Sequence, residues 1–265
     1  MAITYGNTKD IRVDSLNLRM LIYGEPGSGK TYFGGTMLSP FFIWMPTETG
    51  KNALAMTGKQ VSFAIVETEP DIRGLFADIN NGRIAAANRS IIFDSLTDLT
   101  DLITKQVLLE TGKTRMDRNT WGVAVDHLRM IVTEFNSLVK TKHILMIAKS
   151  TIIKDEVRGD VFGVPDTIGK FAHAVGGLYD EVFFAEQFVD YQGGQKRKNF
   201  QLHTIKFAEK FPAKDSSGKL GITEPNDFNT IYGKICRKEV QVTETPKVEA
   251  VPQGVVGSGT TQPIA

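Results

Sequence analysis

The sequence predicts an α/β fold: a mostly parallel twisted sheet flanked by helices, with a late β-hairpin and a flexible C-terminal tail. Three observations carry that prediction. Short apolar runs (Met20–Tyr23, Phe41–Met45, Val61–Val66, Ile91–Phe93, His143–Ala148) alternate with longer stretches of helical spacing, the pattern that requires right-handed crossovers between parallel strands. Two of the runs, Phe41–Met45 and His143–Ala148, are continuously apolar, as in strands covered on both faces. The first run feeds directly into a glycine-rich turn and a helix opening at Tyr32–Met37.

That turn reads Gly24-Glu25-Pro26-Gly27-Ser28-Gly29-Lys30-Thr31 and satisfies the phosphate-loop pattern G-x-x-x-x-G-K-[ST]. Glycine lets backbone N–H groups wrap phosphate oxygens. A helix beginning at Gly29–Lys30 turns its positive end toward the same oxygens. The set expected to hold a nucleoside triphosphate is therefore Gly24, Glu25, Pro26, Gly27, Ser28, Gly29, Lys30, Thr31 and Tyr32. Lys30 is expected to reach the β- and γ-phosphates, and Thr31 to ligate Mg²⁺.

Composition sets the outer bounds. The 265 residues suffice for one large domain or two small ones, with 41% apolar and 23% charged residues. A formal net charge of +1 confines any nucleic-acid site to a local patch. The single cysteine, Cys236, excludes a disulfide framework and suggests a reducing compartment. With neither a leader pattern nor a long apolar run, the expectation is a cytoplasmic protein without membrane association.

The remaining elements follow in order. Residues 1–16 are polar and lead into the first strand. Gly34 and Gly35 fall in the predicted helix at roughly 1 kcal/mol each relative to alanine, which points to close packing on the sheet. Phe41–Met45 ends in Pro46-Thr47-Glu48-Thr49-Gly50 and places Glu48 at the strand's C-terminal edge. Val61–Val66 is a short strand and Pro70–Asn80 a helix. Ser90–Ser95 (Ser-Ile-Ile-Phe-Asp-Ser) brings Asp94 to a strand end, where its carboxylate suits Mg²⁺. Leu96–Leu109 predicts a helix and Glu110–Asn119 a polar, basic loop. Trp121–Val139 predicts a helix with Val125, Leu128, Ile131, Val132, Phe135 and Leu138 on one face; His127 within it reads as a surface or packing residue rather than a ligand. His143–Ala148 ends at Lys149 and Ser150. Residues 151–169 read as a long connection, of a length that is usually functional. Ile168–Leu178 reads as a helix. Glu181–Phe188 and Phe200–Phe207 form a hairpin turning at Gly193-Gly194. Lys206, Lys210 and Lys214 recur at spacing four around Phe207 and Phe211, which a solvated face also explains. From about Glu239, Pro, Gly, Thr and Gln leave little to bury. The expectation is one domain over 1–238 and a tail over 239–265.

Ligands on parallel sheets bind at the C-terminal ends of the strands, where the phosphate loop, Glu48, Asp94 and Lys149 all fall. This order of parts resembles the RecA-like P-loop ATPase superfamily. Gly-Glu-Pro-Gly-Ser-Gly-Lys-Thr, Thr-Glu-Thr-Gly, Ile-Ile-Phe-Asp-Ser and Ala-Lys-Asp, spread over about residues 15–222, look most like phage-encoded single-strand annealing and recombination ATPases. The resemblance implies ATP hydrolysis with Mg²⁺, Glu48 as the base for water, Asp94 on the metal, and Lys149 at the γ-phosphate sensor. Many relatives have glutamine or histidine at that last position. It also implies a homo-oligomer (ring or filament) on single-stranded DNA, with a single-strand-binding protein as a further partner. Two loops would meet the DNA, with Lys113, Arg115 and Arg118 in one and Lys154 and Arg158 in the other. A trans-acting cation would come from Lys210 or Lys214; relatives carry Lys-x-Arg where this chain has Lys214-Asp215-Ser216. Two other readings remain open: a regulatory or helicase-loading ATPase that does not primarily bind DNA, and a small-molecule or nucleotide kinase.

Overall fold

The computed structural model describes residues 12, 16–154, 161–192 and 195–236. The elements are β1 (Arg19–Gly24), α1 (Lys30–Gly34), β2 (Pro40–Trp44), α2 (Gly50–Met56), β3 (Ser62–Ile65), α3 (Glu69–Asn80), β4 (Ser90–Asp94), α4 (Leu96–Thr111), α5 (Arg118–Ser137), β5 (His143–Lys154), β6 (Val161–Pro165), α6 (Gly169–Ala174), β7 (Glu181–Gln192), β8 (Gln195–His203), β9 (Lys214–Asp215), β10 (Thr223–Pro225) and α7 (Phe228–Cys236).

One sheet takes up the apolar runs, in the order β10-β8-β7-β1-β5-β4-β2-β3, with β6 paired to β5 and β9 to β7. The strands from β7 to β3 along this order are parallel; β8 and β10 are added antiparallel at one edge. The period of two divides each central strand between two cores. Leu21 and Tyr23 join Phe76, Phe93 and Phe135 on one face. Met20 and Ile22 join Phe33, Trp44, Phe183 and Phe228 on the other. The register then sets the site: Gly24 lies beside Lys149, and Asp94 lies between Ile147 and Trp44. Sheet order thus brings the ends of β1, β4 and β2 to one edge, level with Lys149 of the longer β5.

Several expectations change. The helix after the phosphate loop has only five residues, because Gly34 and Gly35 end it. The close approach expected there is present: a Cβ on Gly34 would lie 2.9 Å from the Phe42 ring. The α2 helix was not anticipated; it begins at Gly50, directly behind Glu48. The basic loop shrinks to residues 112–117. At one end α4 continues to Thr111, stopped by Gly112 at φ 64°. At the other, Asp117 and Thr120 exchange capping hydrogen bonds and start α5 at Arg118. Much of the long connection is regular: β5 runs on to Lys154 and pairs antiparallel with β6. The segment predicted over 168–178 divides into α6 and a tight helical turn at Val175–Leu178. The hairpin strand predicted over Phe200–Phe207 is β8, starting at Gln195 and ending at His203; Phe207 and Phe211 instead fold back to stack on Phe184. His127 does pack, against Glu69 at 3.1 Å. Arg158, the Gly193-Gly194 turn and the 239–265 tail lie outside the described residues. No helix among the described residues is long and apolar enough to cross a membrane.

Candidate nucleotide site

β1 ends at Gly24, and the loop that follows folds over its own lysine. Gly29 has φ 87°, a left-handed conformation, and a Cβ there would run into Asn226 and the Phe200 ring, so the position calls for glycine on both counts. Lys30 is 9% exposed. Its Nζ donates to Gly24 O at 2.8 Å, Glu25 O at 2.7 Å and Ser28 Oγ at 3.4 Å. Burial pulls the ammonium down to about 8, opposed by the charges of Asp94, Glu25 and Glu48. Three carboxyl groups surround this one buried cation and favour its charged form. Because α1 is so short, loop amides and Lys30 must supply the attraction for phosphate that a longer helix dipole would have shared.

The oxygen donors for a metal meet one turn further on. Thr31 Oγ1 donates to Asp94 Oδ2 at 2.8 Å. Burial raises the Asp94 carboxyl well above the carboxylate range, and the charge of Glu48 raises it further. Asp94 and the adjacent Ser95 both line the cavity, and the Ser95 hydroxyl also caps α4, accepting the Asp98 N–H. A hydroxyl and a carboxylate in contact are hard donors that fit Mg²⁺, and a site that disfavours uncompensated negative charge fits a cation.

Glu48 lies on the same cavity, half-buried, with Oε1 accepting the Gly50 N–H at 2.8 Å. The cavity has a volume of about 640 Å³ and is also bounded by Lys30, Thr31, Asp94 and Lys149. Sequence order therefore brought together Lys30, Thr31, Glu48, Asp94 and Lys149. Lys149 is drawn toward Asp98 Oδ1 at 3.6 Å. Tyr32 edges the cavity; Glu25 reaches out of the loop to accept a 3.0 Å hydrogen bond from Ser150 Oγ.

The remaining predicted residues are scattered. Lys113 is engaged by Asp117 at 2.5 Å, whereas Arg115 and Arg118 are exposed. Lys154 is exposed at the end of β5. Lys210 is exposed, and its carbonyl accepts the Gly163 N–H at 2.9 Å. Lys214 corrects its expectation. Its Nζ donates to Tyr179 O within the same chain, and β9 pairs it with Val182, level with Leu21 rather than with the loop. An ammonium held there is a poor candidate for reaching a neighbour's site.

Three residues that the sequence reading missed shape the site. A Cβ on Gly50 would lie 2.8 Å from Thr31 Cγ2 and 3.3 Å from Asp94 Oδ2; the Thr-Glu-Thr-Gly string contained that signal. Asn226 Nδ2 donates to Gly29 O at 3.0 Å, and Phe200 covers the same glycine. Both come from distant segments, and neither sits in a motif.

A buried lysine in a glycine loop, a hydroxyl–carboxylate pair and a parallel sheet edge define the class of phosphate-loop ATPases. A family model described as an AAA domain matches residues 16–217, and the chain belongs to that family. No curated protein matches it. Among solved structures, a KaiC-like protein from the hyperthermophilic archaeon Pyrococcus horikoshii OT3 is similar over 71% of this chain and 78% of its own, with 11% identity and a TM-score of 0.35.

Proposed function

We propose that the chain hydrolyses ATP and, as a homo-oligomer, uses nucleotide binding to control its grip on single-stranded DNA, in recombination or annealing of the kind phages encode. Lys30 and the loop amides hold the triphosphate. Thr31 and Asp94 would hold Mg²⁺, which would supply positive charge to offset that of the phosphates. Glu48 accepts the proton of the attacking water, and Lys149 answers to the γ-phosphate from within β5, level with Gly24.

The observation that carries this reading is the Ser150–Glu25 hydrogen bond. It ties the phosphate loop to the first residue of the β5–β6 arm, which pairs from Ser150 to Lys154. A change at the loop is thus transmitted to the segment bearing Lys154. Beside it, α4, α5 and residues 166–170 border a groove of about 890 Å³ that includes Trp121, 41% exposed, and Arg118, Arg129 and Lys170, interspersed with Asp101, Asp126 and Asp166. Cations that follow a backbone and an exposed ring that stacks bases give sequence-tolerant, salt-dependent binding. The pairing of Lys113 with Asp117 shifts the expected weight to Arg115 and Arg118.

The test measures ATPase rate and fluorescent oligo(dT) binding, with and without ATP, at low and raised salt. Binding that ATP strengthens and salt weakens supports the reading, as does a shallower salt dependence for Arg115→Ala with Arg118→Ala. ATP turnover with no oligo(dT) binding at low salt refutes the DNA arm and leaves a regulatory ATPase.

A further inference from the structure

Trp44 is the last residue of β2 and lies beside Asp94, the last residue of β4, as its partner in the register of the parallel pair. Partners in that register send their side chains to the same face of the sheet. The indole is 1% exposed and is set against two rings, with centroids 4.9 Å from Phe42 and 5.0 Å from Phe63. It packs in the core that includes Phe33 of α1.

The indole Nε1 is buried and has no hydrogen-bond partner. A buried indole N–H ordinarily finds one. Phenylalanine would fill this apolar place without leaving a donor unpaired, so the extra N–H calls for an acceptor. The acceptor beside it in the register is the Asp94 carboxyl. Burial and the charge of Glu48 work against ionisation of Asp94, whereas the indole of Trp44 works for it. Thr31 holds the same carboxyl from the other side, through Oδ2 at 2.8 Å, where Gly50 also crowds it. A carboxylate fixed at one oxygen can still turn about its Cβ–Cγ bond. A second donor, carried on a ring that its neighbours hold still, removes that freedom.

Resting on the Mg²⁺ reading above, we propose that Trp44 is the positioning residue of Asp94: its indole N–H donates to the carboxylate when that carboxylate serves the cation, and fixes the direction in which the oxygens face. Trp44 lies behind Asp94 and is not among the residues that line the nucleotide cavity. It therefore acts on the cation through Asp94 and leaves the cradle around Lys30 alone.

Calorimetric titration of the full chain with ATP, in Mg²⁺ and in EDTA, measures what the cation adds to affinity. Trp44→Phe keeps an aromatic ring and loses the donor. Its Mg²⁺ increment should shrink by about tenfold or more, as for other partners behind a metal's ligands, while its affinity in EDTA stays near the parent's. An unchanged increment in the folded variant overturns the proposal. So does an equal fall in both conditions, the mark of a ring that only packs.

A second measurement needs no change at Trp44. The ¹⁵N-labelled protein has two tryptophans, and the indole N–H resonance of Trp44 is the one that remains in Trp121→Phe. It should move downfield when Mg²⁺ is added to the protein with tripolyphosphate bound, and Asp94→Asn should abolish that movement. A resonance that ignores both changes overturns the contact, even where Trp44→Phe fails to fold. A parent that binds no ATP, or binds it equally well in Mg²⁺ and EDTA, removes the metal reading itself, an outcome distinct from these.

Discussion

The hydroxyl of Thr31 and the carboxylate of Asp94 meet at 2.8 Å across 63 positions of sequence, and the backbone of Gly50 closes over the pair. Three strands therefore meet at one point: β1 through its loop, β4 directly, and β2 through the turn that also carries Glu48. Gly50→Ala should disturb this junction without touching the phosphate cradle. The added methyl would sit 3.0 Å from Thr31 Oγ1, tighter than a relaxed contact, and either α2 or the Thr31–Asp94 pair must move. The expected outcome is a loss of about tenfold or more in Mg²⁺-dependent turnover, since small misplacements of reacting groups are costly. Nucleotide affinity without Mg²⁺ should stay near the parent value. Equal turnover of parent and variant across a Mg²⁺ titration would show that the contact has no such role.

Glu48→Gln separates binding from chemistry. Glutamine retains an oxygen for the Gly50 N–H, now accepted by Glu48 Oε1 at 2.8 Å, so the turn should hold its shape. It cannot take a proton. Turnover should fall by a factor of about 10²–10⁴ while ATP affinity changes little. Lys30→Ala should instead abolish binding, because it empties a buried cation position surrounded by Glu25, Glu48 and Asp94. Stopped-flow binding with single-turnover hydrolysis checks both variants, and parent-rate hydrolysis by Glu48→Gln would remove Glu48 as the base.

How far the site could be read from the sequence follows from the range of each interaction. Lys30, Thr31, Glu48 and Asp94 were legible because each sits at a strand end, and strand ends of a parallel sheet share an edge. The Glu110–Asn119 loop was misjudged because Asp117 was read only as one of its polar residues, although with Thr120 it forms a helix cap. The strand character of residues 151–154 and of Val161–Pro165 was missed because charged residues and glycines lie between and within them, and only the pairing of β5 with β6 makes them strands. Asn226 and Phe200 carried no local signal. Their link to Gly29 exists only once the edge strands β8 and β10 are in place.

That late packing has an energetic consequence beyond residue 217, where the family match ends. Phe228 is buried against Phe33 of α1, with centroids 6.3 Å apart, and stacks on Tyr232 at 5.4 Å. Its N–H donates to Thr36 Oγ1 at 2.8 Å, just after α1. A five-residue helix has little stability of its own, so α7 serves as a brace for the phosphate-loop helix. Phe228→Ala should destabilise the fold by about 3–5 kcal/mol and weaken nucleotide binding as α1 loosens. Chemical denaturation in the presence and absence of ATP checks this; a loss under about 1 kcal/mol would mean the brace is dispensable.

A second buried group ties stability to pH. Glu181 is 2% exposed at the start of β7, beside Asp215 of β9, with Oε2 accepting the Ser216 N–H at 3.2 Å. Burial, with the charge of Asp215 added, raises its carboxyl from 4.5 to about 8. Between those values the folded chain keeps a proton that the unfolded chain has released, so stability falls as pH rises through the window and levels off above it. Asp215 is shifted the other way and acts below this range. Glu181→Gln copies the protonated acid, with an NH₂ to donate to Asp215 and an oxygen for Ser216. The variant should match the parent near pH 4.5 and gain on it steadily as pH rises toward 8, by up to about 1.4 kcal/mol for each pH unit crossed, a rise of several degrees in Tm. Thermal unfolding of both proteins from pH 4.5 to 8.5 measures the difference. Parallel curves across that range would show that Glu181 is ionised in the folded chain and that β9 is held to the sheet by other contacts.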